Sequence, residues 1–545
     1  MKKIKFELLF LILFVLSRLP SLGHDTFTTD TWKWKSRSYD FGSGVFTGDF
    51  AKTLQKYHPG VMLMWIGTAG IKIYNAYYNL AFHSDPPDNK ISTVFELDFV
   101  QKIITVLVIG ITLAYVFYAL RNIFGLKLAF ISLVLVCAEP YYVGLSRVFH
   151  LEGLLSAFML ASATWLYWFL ENGGKKKLII SAVFAGLSML TKTTALYLIP
   201  FSLMMMAVKN LTEPGVFAQA AGSIFKKLKL MLLIKNTVVT FLIWALTASV
   251  VIFSLWPALW VAPGEVYKAL YKGVAVVGIE REHIQYYFGK LVEDPGPAFY
   301  LVVLFFKSSP WLIMGIIGWL FIYKKLSTDQ KKLTMYLFVY SIIYLLALSI
   351  PTKKLDRYFA PSLVSLAVVS SVFYYWLWEK IKVNNIIKIG ISGLVFLGAN
   401  VFVHPDYISF YNPLAGGLSK GINVLEPKWL IGERQILEYF KKAQIQDNYQ
   451  KTYEGSIESL IDTKKASGVL IVALPEKYYT QVWPFFREIG AWAVISDLTA
   501  QANYAKYFVY PVWEDDSVKE TRYKIKYDGS VYLRNVEVFR VYKRT

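Results

Sequence analysis

The chain has 545 residues, 55% of them hydrophobic and 17% aromatic, with 58 Lys and Arg against 38 Asp and Glu and a formal net charge of +20. Soluble domains run at roughly 45–50% apolar residues; here the excess lies in recurring runs that approach the ~20 residues a membrane-spanning helix needs, which excludes a soluble protein. The basic residues sit in short clusters between those runs, as positive-inside loops do and nucleic-acid-binding faces do not, and the single Cys137 excludes an internal disulfide.

The first apolar segment, 4–20, begins like a secretory signal but lacks a small-x-small cleavage site, so an uncleaved helix is predicted. A polar loop, Ser21 to Pro59, follows, carrying Asp25, Asp30, Asp40 and Asp49. Residues 60–83 are apolar enough to tempt a span. Counting them as one would invert every later loop, so an interfacial or re-entrant helix is predicted within a first outer loop of 21–96. Further spans are predicted at 97–120, 126–144, 150–170, 178–191, 193–208, 236–257, 310–324, 333–350, 359–380 and 385–404, about 11 in all. The fifth and sixth come from one run broken at Leu190 to Thr194, a hairpin dipping in from one side or a single tilted helix.

Lys2, Lys3 and Lys5, Arg121 and Lys127, Lys175–Lys177, Lys226, Lys227 and Lys229, Lys324, Lys325, Lys331 and Lys332, and Lys380, Lys382 and Lys388 then all fall on one side, the cytoplasm. The other side receives 21–96, a second large loop at 258–309, the turn at 351–358 and the C-terminal segment. A transmembrane domain of 1–415 is expected. From 420 to 545 the long apolar runs stop. An amphipathic helix from Gly432 to Ala443 and strands at Gly468–Leu474, Lys506–Val512 and Val531–Tyr542 predict a small α/β domain on the outer face.

Charges at the edges of apolar runs are costly and point to function. Asp30, flanked by Trp32 and Arg37 and followed by His58-Pro59, is placed to take a proton from a hydroxyl, to hold a metal, or merely to be solvated. Arg147, His150 and Glu152 stand at the outer turn into the fourth span, where Arg147 either binds an anion or snorkels to head groups. Lys192 offers a point charge for phosphate, or snorkels likewise. Lys353, Lys354 and Arg357 break the positive-inside trend, and an anion site is the simplest reason. The 258–309 loop mixes aromatic rings with Glu280, Arg281, Glu282 and His283, suited to a sugar or to an ordinary interface. An outer acid and an outer cationic cluster together suit inverting glycosyl transfer from a phosphate leaving group.

In order and spacing, TTDTWKWKSRS, YHPGVMLMW, SRVFHLEGLL, LTKTTALYLIP, FSLWPALW, DPGPAFYLVVLFFKSSP, KKLDRYFAP and HPDYISFYNPLAGG resemble the membrane glycosyltransferases of the GT-C fold, specifically the prokaryotic branch of the dolichyl-phosphate-mannose–protein mannosyltransferase family, over about 1–415. The resemblance implies an all-α polytopic GT-C-like fold, a polyprenyl-phosphate-sugar donor and a protein or lipid acceptor. It places the chain in the cell membrane, with the site on the extracytoplasmic side. It implies Asp30 as base, Arg147 and Glu152 at the rim, donor phosphate on Lys353, Lys354 and Arg357, and His58 closing the first loop. Together with the residue reading, Asp30 and Glu152 are expected to be catalytic, Arg147, Lys192, Lys353, Lys354 and Arg357 to bind the donor phosphate, and Trp32, Arg37, His58 and His283 to bind substrate. A divalent metal is compatible with carboxylates near a phosphate. The family's Asp-Glu pair is Asp30-Thr31 here, and its Gly-Trp-Gly-Glu-Gly-like stretch is reduced to Leu430 to Arg434. The rival expectations are a transporter or flippase of a lipid-linked sugar, against which no internal repeat is found, and an inactive lipid-binding relative.

Overall fold

A computed structural model of the chain describes residues 5–87, 90–212, 223–276, 284–453, 455, 457–462, 465–514 and 523–545. Helices dominate. α1 (Lys5–Leu16), α2 (Thr31–Thr47), α3 (Val61–Phe82) and α4 (Ile91–Phe124) come first, then α5 (Leu126–Ala138), α6 (Pro140–Arg147), α7 (Leu151–Asn172), α8 (Lys175–Thr191), α9 (Leu198–Thr212) and α10 (Ser223–Leu255). The short α11 (Ala258–Val261) and α12 (Pro263–Ala275) lead to a small hairpin of β1 (Gln285–Tyr287) and β2 (Lys290–Val292). α13 (Phe299–Lys307), α14 (Pro310–Ile322), α15 (Thr328–Ser349), α16 (Ala360–Lys380) and α17 (Asn385–Val403) complete the apolar part.

Among the described residues seven helical segments are long and apolar enough to cross a membrane, or nine if two bent pairs each count as one span. This is the mostly helical, multi-pass membrane class that the sequence predicts, with fewer spans that meet the length test. The two expected spans outside the count are α1, whose described part has 12 residues, and α8, with 17. Both bent pairs have a proline opening the second helix: α5 meets α6 at 71° before Pro140, and α13 meets α14 at 113° before Pro310. A proline disfavours helix in the residue before it, so the chain turns there. The two breaks are tied together. Ser309 donates from its N–H and its Oγ to the two oxygens of buried Glu139, each at 2.6 Å.

α7 and α16 lie in the interior, while α10 and α17 leave apolar side chains such as Leu246 and Leu394 bare, as lipid-facing helices do. Small hydroxyls join the inner helices: Ser132 to Ser371 at 2.7 Å, Ser341 to Ser365 at 2.6 Å, and Ser181 to the Ser162 carbonyl at 2.9 Å.

Beyond α18 (Gly417–Val424) come α19 (Glu433–Gln446), α20 (Ile457–Asp462), β3 (Ile471–Leu474), α21 (Glu476–Glu488), β4 (Trp492–Ile495), α22 (Thr499–Ala502), β5 (Tyr507–Pro511), β6 (Ile525–Leu533) and β7 (Val536–Arg544). The sheet order is β4-β3-β5-β7-β6, parallel between β3 and its neighbours and antiparallel elsewhere. The expected single strand at 531–542 is instead a hairpin, because Arg534 and Asn535 both take positive φ (49° and 64°) and turn the chain back.

Candidate active site

α2 starts directly after Asp30, but the Asp30 side chain makes no capping bond to its own helix. The turn is fixed instead by Thr31, whose buried hydroxyl accepts from the Thr28 N–H at 2.8 Å. Asp30, with a side chain 30% exposed, is therefore left facing its neighbours: His150 Nε2 at 3.5 Å and Arg357 Nη2 at 3.8 Å from Oδ2, and Lys33 Nζ at 3.6 Å from Oδ1. Burial pushes this carboxyl up, but His150, Arg357 and Lys33 outweigh it and hold it well below the usual carboxylate range.

On the far side of His150 lies Glu152, 1% exposed, in the first turn of α7. Its Oε2 contacts His150 Nδ1, and its Oε1 stands 2.8 Å from Lys192 Nζ and 3.5 Å from Arg357 Nε. Lys192 occupies the extended residue that breaks α8 from the helix after it, and its ammonium lies 3.6 Å from the centre of the Tyr358 ring. Trp429 closes the ring of charges, 5.2 Å from the Arg357 guanidinium and edge-to-face with His150 at 5.0 Å. Two carboxylates, two cationic side chains and an imidazole thus meet from four separate stretches of chain.

His58 approaches from the end of the first loop. Gly60 (φ 58°) bonds its N–H to the Thr191 carbonyl at 3.2 Å, where an added Cβ would strike the Trp34 ring, and this ties the loop's end to the residue before Lys192. Burial first, then the charges of Lys192, Arg37 and Lys353, lower His58 to about 4. Arg37 stacks on Trp34 at 4.7 Å and acts on Asp30 through its charge. Lys353 is half-buried.

Three predicted residues are placed elsewhere. Arg147 is buried and bonded to Asp25 Oδ2 at 2.9 Å and to the carbonyls of Arg18 and Pro20. It ends a chain of buried pairs running Lys35–Asp98 (2.9 Å), Asp98–Lys102 (2.7 Å) and Lys102–Asp25 (2.6 Å), which fixes the loop ahead of Asp30. Lys354 turns to Asp294 of the second large loop at 2.7 Å. Trp32 stacks on Phe27 at 5.3 Å, packs tilted against Trp483 at 5.1 Å and donates to the Thr480 carbonyl, so it docks the first loop on α21. His283 lies outside the described residues. Trp429 carries no signal in its own stretch and is brought in only by the tertiary fold. Among the described residues no group of three or more His, Cys, Asp or Glu is arranged to hold a metal ion.

Residues 94–244 match the model of the family described as dolichyl-phosphate-mannose-protein mannosyltransferase. That stretch holds Glu152 and Lys192, and the match meets the resemblance read from the motifs. No curated protein matches the chain. Among solved structures, ArnT from Cupriavidus metallidurans bound to undecaprenyl phosphate is similar at 13% identity and a TM-score of 0.44, covering 99% of this chain and 98% of that one. The oligosaccharyltransferase AglB from Archaeoglobus fulgidus, in complex with an inhibitory peptide and a dolichol-phosphate, is similar at 12% identity and a TM-score of 0.39, covering 96% and 73%.

Proposed function

We propose that this protein is an integral membrane glycosyltransferase that moves a sugar, mannose first among the candidates, from a polyprenyl-phosphate donor to a hydroxyl of a protein or lipid acceptor, with inversion. The observation that carries the reading is the ring itself: a partly open carboxylate, Asp30, beside Arg357 and a buried Lys192. Asp30, ionised throughout the working range, takes the acceptor's proton as the acceptor oxygen bonds to the anomeric carbon. The bond from that carbon to the phosphate oxygen breaks, and its electron pair leaves on the phosphate. Lys192 and Arg357, with Lys353 beside them, stabilise that charge, Arg by its paired N–H groups and Lys as a point charge. Glu152 acts on the cations and not on substrate. The family match over 94–244 supports the donor class. In this reading the ring opens on the extracytoplasmic face of the cell membrane, and 420–545 forms a domain of its own beside the transmembrane domain of 1–415.

The test incubates membranes holding the protein with a panel of polyprenyl-phosphate sugars and reads glycosylated product by mass. One donor should be consumed, and Asp30→Asn should lower its transfer by about 10²–10⁴-fold, the usual contribution of a general base, while leaving the protein folded. Normal turnover by that variant removes Asp30 from the mechanism.

A further inference from the structure

The reaction as written leaves His150 without a task, yet its placement is tightly determined. The residue is 3% exposed, and its two ring nitrogens face two different carboxylates. Nδ1 meets Glu152, Nε2 stands 3.5 Å from Asp30, and the indole of Trp429 covers the ring. Its backbone is extended (φ −151°, ψ 170°) just ahead of α7, so the ring projects from a rigid helix end. An imidazole held at one nitrogen has a fixed direction at the other.

We propose that His150 is a positioning residue for Asp30: Glu152 anchors the ring through Nδ1, and the Nε2–H aims the Asp30 carboxylate and keeps it ionised. This rests on the reading of Asp30 as the base. The other charges around the imidazole are Arg357, which reaches both carboxylates, Lys192, which shares Glu152, and Lys33, which stands on the other oxygen of Asp30. Burial and Arg357 oppose a charge on the ring, while Glu152 and Asp30 favour it and prevail, so His150 is raised above the ordinary imidazole value. Both ring nitrogens then carry hydrogens, one facing each carboxylate. His150 keeps its own proton through the reaction; the acceptor's proton resides on Asp30 and passes to water after product leaves.

One arm of the test needs no substrate. The chain has 6 histidines, so selective isotope labelling with His150→Gln as the assignment control isolates the His150 resonance. It should stay protonated above about 6.5, the free imidazole value. Asp30→Asn should lower its midpoint by about one pH unit, as loss of an adjacent opposite charge does. A midpoint that Asp30→Asn does not move overturns the proposal, since the imidazole would then not act on the Asp30 carboxylate.

The second arm measures transfer from whichever polyprenyl-phosphate sugar the panel shows to be accepted. A glutamine amide reaches the Nε2 position and an asparagine amide only the Nδ1 position. His150→Gln should keep kcat within about tenfold of the parent, with its acid limb moved to higher pH. His150→Asn should lose about 10²-fold in kcat with little change in donor KM. Normal turnover by His150→Asn overturns the proposal. If no donor is accepted, or Asp30→Asn transfers normally, the glycosyl-transfer reading fails by itself, and the titration arm still decides whether His150 and Asp30 are coupled.

Discussion

Replacing Glu152 with glutamine removes one charge from a buried site where it faces three positive partners. At an effective dielectric constant near 20, pairs at 2.8 Å and 3.5 Å, the Lys192 and Arg357 separations, attract by about 6 and about 5 kcal/mol. Most of that offsets the desolvation of the same groups. The loss on breaking such a pair is accordingly smaller, about 3–5 kcal/mol, and arises because Lys192 loses its carboxylate partner while Arg357 keeps only the longer pair with Asp30. Lys192→Met in the Glu152→Gln background removes one of the stranded cations. The double variant should then be more stable than the sum of the two single losses predicts, by about 1–3 kcal/mol, as interacting residues are. Equilibrium unfolding in mixed detergent micelles, followed by tryptophan fluorescence, reads all four proteins. A Glu152→Gln protein that unfolds with the parent, or single losses that simply add, would show that Glu152 does not hold the cations.

Phe485 of α21 is buried against Phe95, Phe27 and His24 at 5.1, 5.6 and 5.4 Å. Phe485→Ala should cost about 3–5 kcal/mol, raise hydrogen exchange through residues 24–32, and lower kcat more than it raises donor KM; unchanged exchange there would mean that the C-terminal helix does not support the first loop. Glu433 has the opposite pH behaviour from Asp30. Burial, then Asp406 and Asp25, raise it well above the ordinary carboxyl value. A raised carboxyl contributes stability that is complete below about pH 4.5 and is lost as pH climbs through its folded value. Glu433→Gln should therefore unfold at a higher temperature than the parent at pH 8 and gain little at pH 4, and an equal difference at both pH values would contradict this.

The charged residues that form the ring were legible because each interrupts or borders an apolar run. Asp30, Glu152, Lys192 and Arg357 lie far apart in sequence, but the ends of spans gather such residues at one level. What the sequence does not encode locally is which charge pairs with which. Arg147 and Glu152 are five residues apart, yet Arg147 finds Asp25 and Glu152 finds Lys192. The Arg147 pair depends on a loop 122 residues upstream, and only the packing of α4 against that loop selects it. The spans behave the same way. Hydropathy marks the apolar runs, but it is Pro140 and Pro310 that bend two of them, and the length of α8 is set by the extended residue Lys192. The hairpin of β6 and β7 reads as one strand in the sequence since alternation continues through its turn; two adjacent positive-φ residues leave no mark on hydrophobic period.

Asp30 and Glu152 carry the same charge and sit on opposite sides of one imidazole, and the difference in how they are held separates their roles. Every cation near Asp30 stands at 3.5 Å or beyond, and its side chain keeps partial access to water. Its pairs with Arg357 at 3.8 Å and Lys33 at 3.6 Å are too long to occupy the lone pairs that a proton needs. Glu152 has no such access, and Lys192 sits within hydrogen-bonding distance of it. A carboxylate so engaged fixes geometry, and the looser one is the one the proposed reaction assigns as base. The same contrast accounts for Thr31. Its side chain is buried and turned to the Thr28 backbone, where a second carboxylate would be desolvated with no cation to meet it. In this chain the Thr31 hydroxyl shapes the turn, and the turn leaves Asp30 uncapped and facing Arg357.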